Sequence, residues 1–556
     1  MFDSRFKSIN VKGDLFGGVT TAIISLPLAL AFGVASGAGA EAGLWGAIMV
    51  GFFAALFGGS STLISEPTGP MTVIMTAVLT SMMAKYPETG LAMSFTVVMM
   101  AGAFQVLLGT LKLGKYVTLM PYSVISGFMS GIGVILIILQ LSPLLGSPAP
   151  AGGVLGTLSA LPDTILNVSF SELLLGLMTL GVLFYFPKQY QKYVPAQLVA
   201  LFFVTLVSII LFDFEDIRRI GEIPAGLPSL VIPHFNAEMF TTMVIDALVL
   251  GTLGCIDTLL TAVIGDSLTR KEHDSDKELR GQGIANMLSG LFGALPGAGA
   301  TMGTVTNIQV GARSPLSGII RAGILAFVVL VAGGLTEPIP MAVLAGIAVF
   351  VGINILDWSF IQRAHKVNIQ GTVIMYGVMF LTVFVDLIVA VGLGVFISNI
   401  IIIEQLSRTQ AKQVKAISDA DSDVPLTETE RSLLEEAKGK VLLVYLSGPM
   451  IFSVSKAISR QHSSITDYQV MILDLTDVPM IDVTVGLALE NAIKDAIDSQ
   501  CKVLLLCPNK QTFKQLEKFH ILDNVSGIDS YNNRVEAIEF ALSHINHQPE
   551  IQQTHT

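Results

Sequence analysis

Two apolar segments of this chain are interrupted at matching places, and that pairing constrains the fold more than any other feature. Leu295 to Gln309 reads LPGAGATMGTVTNIQ and lies between hydrophobic runs. Pro296, Gly297, Gly299 and Gly303 leave it too broken for one continuous spanning helix. Ser65 to Val78, SEPTGPMTVIMTAV, is broken in the same way. Each follows a near-identical lead-in, Leu56-Phe57-Gly58-Gly59 in one and Leu291-Phe292-Gly293-Ala294 in the other. Interrupted hydrophobic segments at corresponding positions of two halves point to the binding site of an inverted-repeat transporter. The expectation is two half-helices whose N-termini meet near the bilayer midplane, where free backbone N–H groups and the positive dipole end favour an anion.

Only 13% of the 556 residues are charged and 52% are hydrophobic, against roughly 25% charged in an ordinary soluble protein. This predicts an integral membrane protein. The net charge of -11 argues against a nucleic-acid partner, which calls for a basic face. Cys255, Cys501 and Cys507 make no disulfide framework. Lys7, Lys12 and Asp14 lead directly into an apolar segment without a small-residue cleavage site, so no cleavable signal is expected.

In the first half, hydropathy places spans at Leu15–Val34, Ala42–Phe57, the broken Ser65–Val78, Ala92–Leu111, Val124–Leu145, Leu173–Phe186 and Leu198–Phe212. The second half repeats the rhythm with Met239–Ile264, Ile284–Leu295, the broken Gly297–Val310, Ile319–Leu335, Met341–Ile355, Thr372–Leu387 and Val389–Ile403. The count is about fourteen crossings, seven plus seven. With the N-terminus inside, Lys112 and Lys115, Lys188 and Lys192, Arg270 through Arg280, Arg313 and Arg321, and Arg363 and Lys366 all fall in inside loops. The loop from Gly146 to Glu172 falls outside and has no Lys or Arg; Lys85, Arg218 and Arg219 are the exceptions. An odd number of spans per repeat makes the repeats antiparallel.

After Ile403 the composition changes. The domain division is 1–407 for the membrane domain, 408–437 for a charged linker, 438–547 for a soluble domain and 548–556 for a tail. Strands are expected at Lys440–Leu446, Val470–Leu475 and Lys502–Cys507. Helices are expected at Ser453–Gln461, Val485–Ile497, Lys510–Phe519 and Arg534–Leu542, with His544 and His547 in a frayed end. Alternating strands and helices predict a small α/β domain of about 120 residues on the cytoplasmic side.

These residues carry a resemblance. Leu26-Pro27-Leu28-Ala29-Leu30-Ala31 with Gly43-Leu44-Trp45, Ser65-Glu66-Pro67-Thr68-Gly69-Pro70 and Pro121-Tyr122-Ser123-Val124-Ile125-Ser126-Gly127-Phe128 resemble the SulP anion transporters, bacterial relatives of solute carrier family 26. Ile223-Pro224-Ala225-Gly226-Leu227-Pro228 fits the same pattern. Leu473-Asp474-Leu475-Thr476-Asp477-Val478 followed by Ile481-Asp482 resembles a STAS domain. Within the family, Ala31–Ala42, Thr62–Thr76, Gly254–Thr261, Asp266–Thr269, Gly297–Thr304 and Asp357–Ala364 are most similar to the BicA-type sodium-dependent bicarbonate transporters of cyanobacteria. The resemblance implies an α-helical polytopic membrane protein built as a seven-plus-seven inverted repeat with core and gate domains. It also implies a cytoplasmic STAS domain, a homodimer joined partly through it, and residence in the bacterial inner membrane with both termini cytoplasmic. Relatives carry sulfate, chloride or dicarboxylates on the same fold, so the anion is not settled by it.

Asp257 stands in GTLGCIDTLLTAVIG, an apolar run, and an intramembrane carboxylate usually faces a cavity with a partner. Asp257 and Thr261 are four apart and share a helix face. Their hard oxygens suit Na⁺, with carbonyls of an unwound segment completing the shell; the resemblance places this cation next to Gly299, Ala300 and Thr301. The alternatives are that Asp257 hydrogen-bonds a broken helix end or relays a proton. Thr68 and Thr301 open the half-helices and either cap them or donate to a bound oxyanion. Neither broken segment contains Arg or Lys, so a singly charged anion held by dipoles, with Na⁺ supplying positive charge, is favoured over sulfate. Glu66 reads as a structural or gate carboxylate, and Asp246 and Asp386 as interfacial. Val483 stands where STAS-type regulators carry a phospho-acceptor, and Thr484 reads as a helix cap. No nucleophile–base pair, Walker loop or zinc pattern occurs, so enzymatic activity is not expected. The competing functions are a proton-coupled sulfate or dicarboxylate transporter, and an anion channel or regulatory membrane protein.

Overall fold

The computed structural model describes residues 9–547 except 118–120, 151, 192–194, 214–215, 222–225, 333–335, 364–365, 367–368, 386, 412–413, 419–423, 451–467 and 520–528. Part of the Ile223–Pro228 motif, Asp386, the expected helix Ser453–Gln461 and the tail 548–556 therefore lie outside the described residues. The chain divides into two compact units, Met1–Ser398 and Asn399–Thr556.

In the first half of the first unit the main helices are α1 (Val11–Ser36), α2 (Ala40–Phe57), α3 (Gly69–Lys85), α4 (Gly90–Thr110), α5 (Tyr122–Leu139), α6 (Phe170–Tyr185) and α7 (Ala196–Leu211). The second half has α8 (Phe240–Thr269), α9 (Ser275–Leu291), α10 (Thr301–Gln309), α11 (Leu316–Ala332), α12 (Met341–Ile355), α13 (Ile369–Phe384) and α14 (Leu387–Ala411), which runs past Ser398. Their packing is reciprocal. α4 lies on α9 as α2 lies on α11, and α1 lies on α11 as α8 lies on α4. α1 meets α10 as α8 meets α3, and α5 meets α13 as α6 meets α12. Exchanging the two halves maps each pair onto another, which is the signature of two repeats of one structure.

Six stretches among the described residues are long and apolar enough to cross a membrane on length and composition. The hydropathy reading expected about fourteen, and several of the remaining elements are short. Ala196–Leu211, Leu316–Val331, Met341–Ile355 and Ile369–Phe384 are shorter apolar helices, and α3 and α10 begin inside the fold. Close helix contacts use glycine: a Cβ at Gly43 would lie 2.0 Å from the Ala29 carbonyl oxygen, and one at Gly283 2.5 Å from that of Gly102.

Three local expectations are corrected. The segment expected as a loop from Gly146 to Glu172 contains a helix, Gly153–Leu166, bent 117° from α6. α9 starts at Ser275 rather than Ile284, because Asp274 accepts from the Lys277 N–H and caps it ahead of the apolar stretch. Arg321 is no loop residue; it is fully buried in α11.

The second unit holds a five-stranded sheet, β3 (Val414–Ile417), β4 (Val441–Ser447), β5 (Val470–Asp477), β6 (Lys502–Leu506) and β7 (Asp529–Tyr531), in that order. β3 is antiparallel to β4 and the other pairs are parallel. Helices α15 (Glu428–Glu436), α16 (Val483–Asp498), α17 (Lys510–Lys518) and α18 (Arg534–His547) accompany it. Val444, Leu473, Leu489 and Leu505 belong to one buried apolar cluster, and Leu443, Ile472, Leu504 and Ile538 to another. The near-continuous apolar strands follow from burial on both faces. Residues 408–437, expected as a linker, contain β3 and α15, whose Thr427–Glu430 capping box fixes its start. α16 is capped by Asp482, which accepts from the Val485 N–H at 2.8 Å, so Thr484 is not the cap. His544 and His547 lie inside α18 rather than in a frayed end, since Ala541 and Leu542 anchor its last turns in the core. Buried Asp474 is held by Arg534 (Nε to Oδ2 2.7 Å), which also reaches Glu430 on α15 at 3.4 Å.

Candidate functional site

The two interrupted segments cross. Residues Ser65–Glu66 (β1) pair antiparallel with Ala298–Gly299 (β2), Ser65 opposite Gly299 and Glu66 opposite Ala298. α3 and α10 start directly after the crossing. The first i→i−4 donors are Thr72, to the Thr68 carbonyl, and Thr304, to the Ala300 carbonyl, both at 2.9 Å. The N–H groups of Gly69 and Met71, and of Thr301, Met302 and Gly303, lie ahead of those ladders, and Pro70 carries none. Two helix heads with free donors and aligned dipoles thus converge on one place. Thr301 and Met302 are exposed there, whereas Thr261 behind them is buried.

Asp257 sits midway along α8 and is 9% exposed. Its Oδ2 accepts from the Thr68 hydroxyl at 2.8 Å. One turn on, the Thr261 hydroxyl donates to the Gly299 carbonyl at 2.9 Å and lies 2.9 Å from the Thr301 hydroxyl. The Gly299 N–H donates to Thr258 Oγ1 at 3.1 Å, and the Ala300 N–H to the Ile64 carbonyl at 2.8 Å. Thr261, Gly299 and Thr301 therefore form one cluster, Thr68 and Asp257 a second contact on the same helix, and Ala300 joins β2 to α10. Neither threonine caps its helix: Thr68 makes no side-chain cap bond, and Thr301 follows the N-cap position, which is Ala300. The oxygens present, a carboxylate, hydroxyls and a backbone carbonyl, are the donor set a hard monovalent cation takes.

Gly299 packs closely against α8. A Cβ there would lie 3.1 Å from Thr258 Cα and 3.2 Å from Thr261 Cβ, so its small size serves the approach of β2 to α8. A Cβ at Gly297 would likewise lie 2.6 Å from the Glu66 backbone.

Charge at the crossing is balanced by a residue that sequence reasoning missed. Arg321 reaches from α11 to Glu66 (Nη2 to Oε2 2.6 Å), to the Ser65 carbonyl (2.9 Å) and to Ser25 Oγ (2.9 Å). Its signal was a lone Arg flanked by Ile319-Ile320 and Ala322-Gly323, which a count of loop charges absorbed. A second missed group holds the approach to β2. Asn286 exchanges hydrogen bonds with Gly297 (2.8 and 3.0 Å) and donates to Gln105 at 2.9 Å, while Gln282 donates to the Gly297 carbonyl at 2.9 Å. Asp257 takes part in none of the ion pairs among the described residues, and the Thr68 hydroxyl donates to its carboxyl group.

The ion pair gives a stability prediction. Arg321→Met keeps much of the side-chain length but leaves Glu66 buried without its partner, an expected loss of about 3–5 kcal/mol. Adding Glu66→Gln removes the stranded charge, and most of the loss is expected to return. Thermal unfolding of the two purified variants tests this; equal destabilisation by single and double variants would contradict it.

The sulfate permease family profile matches residues 11–378 and the STAS domain profile residues 434–537. Two proteins named bicarbonate transporter BicA, from Picosynechococcus sp. and Synechocystis sp., are 56% and 59% identical to this chain. Each alignment covers 96% of this chain, and 95% and 94% of the respective relative. The solved transmembrane domain of a cyanobacterial bicarbonate transporter BicA is 64% identical, with a TM-score of 0.66 over 69% of this chain and 97% of its own. SLC26A9 shares the fold at a TM-score of 0.82 and 17% identity, covering 98% of this chain and 92% of its own.

Proposed function

The chain belongs to the sulfate permease family, and on that premise we propose that it moves bicarbonate together with Na⁺ by alternating access in the bacterial inner membrane. The observation that carries the reading is the buried carboxyl group of Asp257, outside every ion pair among the described residues and hydrogen-bonded to the first residue before α3. Arg321 is neutralised by Glu66, so among the described residues the crossing offers an anion no free cationic side chain. Two like charges about 5 Å apart repel by about 3 kcal/mol at an effective dielectric near 20. A cation on Asp257, Thr261, Gly299, Ala300 and Thr301 removes that repulsion and leaves the N–H groups heading α3 and α10 to hold the anion beside Thr68, Ala300 and Thr301. A singly charged anion suits such a site better than sulfate, whose second charge would remain unmatched. The names of the most similar relatives support the same substrate.

The family is one of transporters, and we assign no enzymatic step. We place both termini in the cytoplasm and propose a homodimer joined partly through the STAS domain. The deciding experiment is uptake into proteoliposomes. Bicarbonate is expected to accumulate under an inward Na⁺ gradient and not when K⁺ replaces Na⁺, with sulfate taken up poorly in both. Na⁺-independent sulfate uptake driven by a proton gradient would overturn the assignment.

A further inference from the structure

We propose that the Thr68 hydroxyl is the switch that couples the cation to the anion, an inference that rests on the Na⁺–bicarbonate reading above. Thr68 Oγ1 donates its hydrogen to Asp257 Oδ2 at 2.8 Å, with Thr68 8% and Asp257 9% exposed. The hydroxyl makes no capping bond to α3, so it does not serve the helix that Thr68 precedes. The residues after it, Gly69 and Met71, carry the N–H groups that head that helix.

A hydroxyl has one hydrogen to donate and two lone pairs. With Asp257 bare, that hydrogen is committed to the carboxylate, so an anion arriving at the head of α3 meets a negative charge and no hydroxyl donor. A cation drawing on the Asp257 oxygens weakens the carboxylate as an acceptor. Rotation about the Cβ–Oγ1 bond then turns the hydrogen toward the anion and a lone pair toward the cation. Oγ1 need not move and no proton is transferred, so nothing is gained or lost but the direction of one O–H. Cation binding thus creates an anion donor, and by linkage the anion tightens the cation by the same factor. This contribution is separate from the Coulombic one, which needs only the charge on Asp257. That separation makes it testable.

The test uses purified full-length protein and reads binding rather than transport. Thermal unfolding is followed while bicarbonate is titrated at fixed pH in Na⁺ or in K⁺, giving a coupling factor for each variant. Na⁺ titrated without bicarbonate gives cation binding alone. In the wild type, Na⁺ is expected to tighten bicarbonate binding by at least about twentyfold, within the usual range for coupled sites. Thr68→Val, which lacks the lone pair that Oγ1 turns to the cation, is expected to bind Na⁺ more weakly in bicarbonate-free buffer, and its coupling factor should fall by about fivefold or more. Thr68→Ser should restore it. Should valine be poorly accommodated beside Asp257, Thr68→Ala removes the same hydroxyl and is expected to give the same loss. A wild-type coupling factor in both Thr68→Val and Thr68→Ala overturns the hydroxyl switch while leaving Na⁺ coupling intact. Absence of any Na⁺ effect in the wild type overturns the coupled reading itself, and the switch with it.

Discussion

Asp257→Asn is expected to abolish Na⁺-stimulated uptake while the protein remains folded in the membrane. The amide is nearly the same size, and its oxygen can still accept from Thr68, now 2.8 Å from Asp257 Oδ2, so the local packing survives. What disappears is the charge. A unit charge 4 Å from a cation contributes about 4 kcal/mol at an effective dielectric near 20, so cation affinity should fall by roughly three orders of magnitude. Uptake and thermal stability are measured on the same preparation. Full Na⁺-dependent uptake by well-folded Asp257→Asn would remove Asp257 from the cation site.

The second large effect is expected at Ala300. Ala300 is the N-cap residue of α10, and its own N–H is already committed to the Ile64 carbonyl. Ala300→Leu adds apolar bulk over the N–H groups of Thr301, Met302 and Gly303 and should abolish uptake with little effect on membrane insertion. Thr301→Ala should be milder. It removes a hydroxyl 2.9 Å from Thr261 Oγ1 but leaves every backbone donor in place, a loss of about 1 kcal/mol or roughly fivefold. Uptake rates of the two variants, normalised to folded protein, give the ordering. The reverse ordering, Thr301→Ala inactive and Ala300→Leu normal, places the anion elsewhere.

What could be read from the sequence was whatever leaves a local chemical anomaly. Pro67 and Pro296, with the glycines around them, interrupt apolar runs, and the two half-helices follow from that interruption. Asp257 is conspicuous because a carboxylate in an apolar run is rare. Their meeting was legible only as an inference from the repeat, whereas the antiparallel register of Ser65 with Gly299 depends on contacts hundreds of residues apart. Arg321 was hidden because its partner, Glu66, lies 255 positions away and its sequence position also suits a loop. Gln105, Asn286 and Gln282 were hidden for a related reason: an amide in a helix carries no sign of which backbone it will satisfy. That Gly299 packs on Thr258 and Thr261 was equally invisible, since those residues lie on α8 about forty positions earlier. In the soluble unit, the alternation of apolar strands with helices was plain, but β3 was lost in a charged stretch because an edge strand of four residues has little pattern of its own.

If cation and anion occupy one crossing and move together, the most direct measurement is whether one carries the other. Sealed proteoliposomes are loaded with equal Na⁺ inside and out, given an inward bicarbonate gradient at fixed pH, and followed with radiolabelled sodium under a voltage clamped by K⁺ and valinomycin. The account predicts that bicarbonate drives labelled Na⁺ inward against no gradient of its own, and that Asp257→Asn vesicles show no such movement. Bicarbonate accumulating in the wild-type vesicles with no accompanying sodium would contradict it.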